Sequence, residues 1–222
     1  MPPRKKLLIA ADVDRALVAR AEEDERFEVV DRPVRSEEEL VAIVGPCEIL
    51  VTRSYNRVSR RVIEAAPRLE LIAQGTSGTD NIDAAAARER CIPILSLPGE
   101  NATAVAEMVL GHMLTLTRTI PWYHRDMMNG GWNRNDSATR HELRHYRLGI
   151  VGLGEVGRRV ARLASAFGMH VAAFDPYLDE GDFGLRDAEQ APSLDALLAG
   201  LDILTLHVPL TEETVGMIET KH

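Results

Sequence analysis

The sequence predicts an α/β protein with two doubly wound parallel sheets. Short runs rich in Val, Ile and Leu alternate with longer segments of helical apolar spacing, which is the pattern of buried parallel strands joined by crossover helices. This pattern runs through the first part of the chain and starts again after residue 147. A length of 222 residues suits one large domain or two small ones. We therefore predict two domains, residues 1–97 and 98–222.

The first domain contains four apolar runs separated by four segments with helical spacing. The predicted strands cover residues 7–11, 48–52, 69–73 and 92–95. The predicted helices cover residues 14–23, 36–44, 59–66 and 82–90. Helices that alternate with strands in this way cross between parallel neighbours.

The second domain begins with a long apolar helix, predicted over residues 101–119 and ended by Pro121. Because this helix is apolar on most of its faces, we expect it to be buried. Three strands follow at residues 148–151, 170–174 and 202–207, with helices at 155–167 and 194–199. The polar segment 133–145 predicts a surface connection.

Composition and charge exclude several classes of partner and location. There are 34 acidic and 26 basic side chains, for a net charge of −8, whereas nucleic acids and anionic membranes attract Lys and Arg patches. The apolar run near the start is too short for an export signal, and no run reaches the roughly 20 residues of a membrane span. Cys47 and Cys91 have no metal or redox spacing. We expect a cytoplasmic protein that binds neither nucleic acid nor membrane.

The most informative motif is a G-x-G-x-x-G between a predicted strand and a predicted helix, at residues 152–157. Gly152 permits a tight turn, Gly154 lets the backbone approach a pyrophosphate, and Gly157 lets the helix pack closely on the strand. The N–H groups at the start of the helix then point at the phosphates. This context predicts a dinucleotide-binding Rossmann unit.

An acidic residue, Asp175, follows at the end of the next strand. Its carboxylate can accept both ribose hydroxyls of an adenosine and repels a 2′-phosphate, which favours NAD over NADP. His207 ends the third strand, where cofactors lie in parallel sheets. Its residue type suits a catalytic acid, but a histidine there is more often a positioning residue.

A zinc-site pattern, H-E-x-x-H, spans residues 141–145. On a helix it would place His141 and His145 on one face. The segment has no helical periodicity and no third ligand, so we interpret it as a polar connection and expect no metal site.

With these motifs, the chain resembles the D-isomer-specific 2-hydroxyacid dehydrogenases. The matching stretches are residues 52–54, 75–83, 101–107, 131–132 and 148–214. The resemblance implies that residues 1–97 form a flavodoxin-like substrate domain without its returning C-terminal helix. It also implies that residues 98–222 form an incomplete Rossmann domain without its second half.

The resemblance also implies positions for the site residues. Arg53 and Ser54 would contact the substrate, and the N–H groups of Ser77 and Gly78 would hold its carboxylate. The backbone at Glu155 and Val156 would meet the pyrophosphate. The cofactor crevice would be lined by His207, Val208, Pro209 and Thr214. Two alternatives stay open: residues 75–78 as a turn before a helix capped by Asp80 or Asn81, and Arg53 as a solvated charge.

The family uses an Arg, a Glu and a His for catalysis, and all three are expected beyond His222. We therefore expect no catalytic residue in this chain, and we expect it to be a fragment that binds at most the adenosine half of NAD. With strand 202–207 taken as the third, strand 148–151 would have an open edge, because its partner, the fourth strand, would follow residue 222.

The predicted function is hydride transfer between NAD(H) and a small 2-hydroxy or 2-keto acid. The alternative is a non-catalytic protein that responds to NAD(H), similar to transcriptional corepressors of this architecture. By resemblance, the full-length form is a homodimer through the helix at Asn101 and the region of Pro121 and Trp122. The apolar face of Met113, Leu114 and Leu116 is equally explained by core packing.

Overall fold

The computed structural model describes residues 3–134 and 141–219. The chain divides into two compact units, Met1–Glu100 and Asn101–His222. Each unit contains one parallel sheet, which confirms the predicted α/β fold class. Among the described residues, none of the helices has the length and apolar character needed to cross a bilayer.

The first unit is a five-stranded parallel sheet in the order β2-β1-β3-β4-β5, which is the flavodoxin order. Its strands are β1 (Lys5–Ile9), β2 (Phe27–Asp31), β3 (Ile49–Thr52), β4 (Leu71–Gln74) and β5 (Ile94–Leu95). Its helices are α1 (Arg15–Glu22), α2 (Glu37–Val44), α3 (Arg60–Ala65) and α4 (Ala84–Glu89). Strand β2 was not predicted, because it is an edge strand that keeps Glu28 and Asp31 exposed.

The core of this unit lies mainly on one face of the sheet. Leu8, Leu50 and Ile72 come from three adjacent strands and pack with buried residues of α2, α3 and α4. The carboxyl ends of β1, β3 and β4 lead directly into the loops at Ala10, Arg53 and Gly75. This arrangement gathers three loops at one edge of the sheet, where ligands of doubly wound folds bind.

The second unit is a four-stranded parallel sheet in the order β8-β7-β6-β9. Its strands are β6 (Arg147–Val151), β7 (His170–Phe174), β8 (Glu189–Gln190) and β9 (Ile203–Leu206). Its helices are α5 (Ala102–Arg118), α6 (Ile120–Met128), α7 (Glu155–Ala166), α8 (Glu180–Gly184) and α9 (Leu194–Leu198), with a 3₁₀ turn at Leu143–His145.

The predicted strand order of this unit is wrong. The third strand is β8, which pairs with β7 through Ala172 and Glu189. The strand at Ile203–Leu206 is the fourth, and it pairs with β6 through Leu148 and Ile203. Strand β6 therefore has neighbours on both sides, and the expected open edge on β6 is not present. The two exposed polar residues of β8 give no apolar signal in the sequence.

The long helix α5 is not buried on most faces, contrary to the prediction. One stripe is buried, formed by Ala102, Ala106, Leu110 and Met113, and the helix packs on α7 of its own unit. The other faces are open, with Leu116 77% exposed. Met113 lies in the core, as core packing requires, whereas Leu116 does not.

Pro121 lies at the start of a second helix, α6, and does not only mark the end of α5. Helix α5 ends at Arg118, and Thr119 has a left-handed backbone with φ of 49°. Pro121 then lies in the first turn of α6, where its missing N–H removes no helical hydrogen bond. The predicted connection 133–145 lies partly outside the described residues; within its described part, Leu143 is buried in the core.

Candidate functional site

The turn after β6 is built on Gly152. This residue has φ of +85°, and a Cβ there would lie 2.6 Å from the carbonyl oxygen of His207. The N–H of Gly152 donates to the carbonyl of Phe174 at 2.9 Å, which ties the turn to the end of β7. Only glycine combines this backbone conformation with this close approach.

The other two motif glycines have opposite surroundings. A Cβ at Gly157 would lie 2.1 Å from the carbonyl oxygen of Gly152, so α7 approaches the turn at backbone contact. A Cβ at Gly154 would meet no heavy atom within 4 Å. The contact at Gly157 requires glycine for packing inside the protein, whereas the space over Gly154 is open to a ligand.

Helix α7 presents its N-terminus to this open space. Gly154 is the N-cap and has no side chain to satisfy the first turn, so those N–H groups are left for water or an anion. Glu155 is the first residue of the helix and is exposed, while Val156 packs partly against the core. The helix is anchored by buried Val160, Ala161 and Ala164.

Asp175 links the end of β7 to the glycine turn. Its Oδ2 accepts from the N–H of Leu153 at 2.9 Å, and its Oδ1 accepts from the N–H of Tyr177 at 3.1 Å. These bonds hold the carboxylate in one orientation. Each oxygen keeps a lone pair for a further donor, such as a ribose hydroxyl.

The end of β9 forms the opposite wall. Burial lowers the pKa of His207, which favours the neutral form of its ring, and its Nε2 lies 2.9 Å from the hydroxyl oxygen of Thr205. If residue 152 carried a side chain, its Cβ would contact Val208. The hydroxyl of Thr214 donates to the carbonyl of Pro209 at 2.6 Å and closes the following turn.

These elements surround one cavity of about 670 Å³, within the size range of ligand pockets. The structure brings seven of the predicted cofactor residues together in its lining: Gly152, Gly154, Asp175, His207, Val208, Pro209 and Thr214. Glu155, Val156 and Gly157 lie outside the lining. Its apolar side comes from Val151, Phe174, Pro176 and Met217.

Sequence reasoning missed several residues of this cavity, among them Tyr177 and Glu213. The Tyr177 hydroxyl donates to the Glu213 carboxylate, and this hydrogen bond raises the pKa of the phenol. Two loops, one after β7 and one after β9, are joined by this bond at the cavity. The available signal was the position of Tyr177, two residues after Asp175.

The described residues fit the dinucleotide that the motif predicts. A Cβ at Gly154 would meet no heavy atom within 4 Å, so the backbone there is accessible to a ligand. The helix start offers N–H groups to a diphosphate, and Asp175 offers acceptors to an adenosine ribose. The apolar wall suits an adenine ring.

The predicted substrate residues lie in the first unit, and the structure does not place them all in one cavity. The Arg53 side chain is exposed, and its Nη1 donates to the carbonyl of Asp12 at 3.3 Å. A Cβ at Gly75 would lie 3.5 Å from Arg53 Cγ, so the predicted carboxylate loop begins beside Arg53. Ser54 lines a separate cavity of about 490 Å³ with Asp80 and Asn81.

The loop at residues 75–78 is held by hydrogen bonds at several points. The Ser77 hydroxyl donates to the carbonyl of Leu97 at 2.9 Å, and the carbonyl of Gly78 accepts from Gln74 Nε2 at 3.0 Å. The following helix is capped by Asp83, whose side chain accepts from Ala86 N–H. The alternative cap at Asp80 or Asn81 is therefore wrong.

A buried polar network supports both loops, and sequence reasoning missed it. The Thr52 hydroxyl donates to Gln74 Oε1 at 2.7 Å, and Gln74 Nε2 donates to Asn81 Oδ1 at 2.8 Å. Asn81 Nδ2 reaches the carbonyl of Asn56 at 2.6 Å. Thr52, Asn56 and Gln74 are buried, and satisfied networks of this kind make loops rigid. Their one sequence signal was polar residues at the ends of apolar runs.

The rejected zinc pattern has no helix to support it. Leu143–His145 forms a single 3₁₀ turn, and the rings of His141 and His145 are 6.1 Å apart between centroids. In the described parts of the chain, no three potential ligands cluster around a metal position.

The glycine turn, the helix start and the acidic residue after β7 define the second unit as a dinucleotide-binding domain of the Rossmann class. The sequence profile described as "D-isomer specific 2-hydroxyacid dehydrogenase, NAD binding domain" matches residues 110–222, about half of the chain. The chain belongs to the D-isomer specific 2-hydroxyacid dehydrogenase family. The predicted family and the predicted cofactor, NAD, are confirmed.

Individual relatives agree with this assignment. A D-3-phosphoglycerate dehydrogenase from Archaeoglobus fulgidus is 38% identical over 196 residues, which are 86% of this chain and 36% of that protein. A hydroxypyruvate reductase from Thermotoga maritima is 37% identical over 194 residues, 87% of this chain and 61% of that protein. The chain spans about one to two thirds of the length of these relatives.

A solved structure shows the same likeness in three dimensions. The crystal structure of a D-lactate dehydrogenase from Aquifex aeolicus, complexed with NAD and lactic acid, is 26% identical and has a TM-score of 0.81. The match covers 95% of this chain and 62% of that one.

Proposed function

We propose that this chain serves an NAD-dependent dehydrogenase that transfers a hydride between NAD(H) and a small 2-hydroxy or 2-keto acid. The observation that carries the proposal is the single cavity that Gly152, Gly154 and Asp175 share with the end of β9. In this proposal, residues 1–97 are the substrate domain and residues 98–222 are the NAD-binding domain.

The second domain holds the cofactor at two places in this proposal. The N–H groups at the start of α7 bind the diphosphate, and Asp175 accepts the hydroxyls of the adenosine ribose. The oriented carboxylate of Asp175 also disfavours a 2′-phosphate, because two negative charges would be brought together. When bound, NAD(H) supplies or accepts the hydride.

The first domain holds the substrate carboxylate in this proposal. The N–H groups of Ser77 and Gly78 donate to it, and Arg53 and Ser54 lie on the neighbouring loop. The bonds from Gln74 and Asn81 support the proposal, because they keep both loops in place before substrate arrives.

Proton transfer is not assigned to a described residue. Burial lowers the pKa of His207, and its ring lies near the Thr205 hydroxyl, which supports a role in the cavity wall. The catalytic Arg, Glu and His that the family resemblance implies are not assigned to described residues.

Calorimetric titration of the folded chain tests the cofactor assignment. We expect NADH and ADP-ribose to bind, and NADPH to bind more weakly. Asp175→Ala should weaken NADH binding and reduce the preference over NADPH. Absence of heat with NADH and ADP-ribose, on protein with a cooperative melting curve, would contradict the proposal.

Turnover distinguishes the enzyme from the binding protein. NADH oxidation is measured with glyoxylate, hydroxypyruvate and phosphohydroxypyruvate. Oxidation of NADH with any of them supports the dehydrogenase. NADH-dependent capture of a protein partner without turnover favours the corepressor-like alternative.

We also propose a cytoplasmic homodimer that associates through α5 and α6. Helix α6 has no buried residue, and Leu116, Trp122 and Met128 are exposed. An apolar surface of this kind is typical of an interface. Light scattering should give the mass of a dimer, and Leu116→Glu should give a monomer with an unchanged melting curve.

A further inference from the structure

We infer that Arg158 and Arg159 are positioning residues of the cofactor site, which neutralise Glu155 and keep its carboxylate away from the cofactor diphosphate. The inference rests on the proposed NAD function and adds a requirement that the glycine motif alone does not contain. It concerns the side chain at the first position of α7.

Glu155 creates an electrostatic conflict at this position. A carboxylate in the first turn stabilises a helix that has no ligand, because it faces the positive end of the helix dipole. The same N–H groups are the proposed binding site of the diphosphate. An uncompensated Glu155 would therefore stabilise the free protein and repel the ligand.

The structure shows how this charge is compensated. Glu155 Oε2 accepts from Arg158 Nη2 at 2.6 Å and from Arg159 Nη1 at 2.7 Å. Arg159 Nη1 also donates to the Glu155 carbonyl at 2.6 Å. Two guanidinium groups thus share one carboxylate and leave the helix start with a net positive charge.

The direction of these contacts matters as much as their charge. Arg158 and Arg159 follow Glu155 by three and four residues on α7. Their contacts draw the carboxylate along the helix toward its C-terminus, away from the N–H groups of the first turn. The two arginines therefore act through Glu155 and need not touch the diphosphate.

The same helix offers a matched control. Arg162 lies one turn beyond Arg158, is exposed, and lines the same surface cavity of about 360 Å³ as both arginines. Within the described chain, no ion pair joins Arg162 to Glu155. Removing Arg162 deletes an equal charge from the same helix without releasing Glu155.

A double-mutant cycle with calorimetry tests the inference. Arg158→Ala with Arg159→Ala should raise the Kd of NADH and of ADP-ribose about tenfold, and Arg162→Ala should change either Kd less than about twofold. Binding of adenosine, which has no diphosphate, should not change. Adding Glu155→Gln to the double variant should restore the Kd to within about twofold of wild type. The loss should shrink in high salt because the side chains are exposed.

The control variants separate charge from geometry. Arg158→Lys with Arg159→Lys keeps both positive charges and should retain most of the affinity. Melting curves of all variants should stay close to wild type, since exposed ion pairs contribute little to stability.

Three results would overturn the inference. A loss that persists after Glu155→Gln would show that the arginines bind the diphosphate directly. An equal loss in Arg162→Ala would show a general field of positive charge. An unchanged Kd in the double variant would show that Glu155 needs no neutralisation. Failure of the wild-type chain to bind NADH is a different result, because it overturns the proposed function itself.

Discussion

Replacing two glycines of one turn separates packing from ligand binding. Gly157→Ala adds a methyl group that would lie 2.1 Å from the carbonyl oxygen of Gly152. Gly154→Ala adds the same group where no heavy atom lies within 4 Å. We therefore expect the first change to destabilise the unit, and the second to act mainly on NADH.

The magnitudes follow from these distances. At Gly157 the start of α7 must move by about 1 Å to reach ordinary contact with a rigid backbone atom, and overpacking of this kind costs about 1–3 kcal/mol. That free energy lowers the melting temperature by roughly 5–15 °C for a unit of this size. At Gly154 the cost is below about 1 kcal/mol, since alanine is only a poorer N-cap. The added methyl group there should raise the Kd of NADH about tenfold or more, because it occupies the approach to the helix N-terminus.

The assay combines thermal melting by circular dichroism with NADH titration on the same preparations. Gly157→Ala should melt lower than Gly154→Ala. Among variants that are folded at the temperature of titration, Gly154→Ala should bind NADH more weakly than wild type. The reasoning is refuted if Gly157→Ala melts like wild type, or if Gly154→Ala loses stability but keeps its affinity.

Three further changes test other parts of the structure. Gln74→Leu leaves the buried Thr52 hydroxyl and its neighbours without a hydrogen-bond partner. Urea denaturation should therefore show that the free energy of unfolding falls by about 2–4 kcal/mol. The exposed control, Gln190→Leu, should change the free energy of unfolding little. Gly111 lies inside α5, with open space where a Cβ would be. Gly111→Ala should therefore raise the free energy of unfolding by about 0.5–1 kcal/mol. A lower free energy of unfolding would show that the space for a methyl group is not open. Burial lowers the pKa of His207. As the pH falls below about 6.5, His207 is therefore protonated in the unfolded chain before it is protonated in the folded chain, and the free energy of unfolding decreases. Between pH 7 and pH 5, the free energy of unfolding should decrease less in His207→Gln than in wild type, as measured by parallel denaturation curves. Identical pH profiles of the two proteins would exclude this effect.

Local sequence predicts the elements around the glycine turn well. The strand at β7, the helix at α7 and the glycine turn between β6 and α7 lie where the sequence expects them, within one residue at each end. Each depends on nearby residues: glycine permits the backbone of the turn, and apolar spacing along a short segment sets the helix face. The position of Asp175, directly after β7, follows from the same local order.

Elements without a local signal could not be predicted. Strands β2 and β8 are edge strands, and their exposed polar residues do not resemble a buried run. Because β8 was missed, β9 was assigned to the wrong neighbour, and the open edge was placed on β6. The exposed faces of α5 were also missed, since an apolar composition does not show which side has a partner.

The sequence alone determined the two parallel sheets, the glycine turn after β6 and the acidic residue after β7, because short-range backbone geometry requires particular residues at these positions. Only the tertiary structure decided which strands are neighbours, how Gln74 and Asn81 support the loops at Arg53 and Gly75, and how Tyr177 meets Glu213. These contacts join residues far apart in the chain, and they depend on how the whole chain packs.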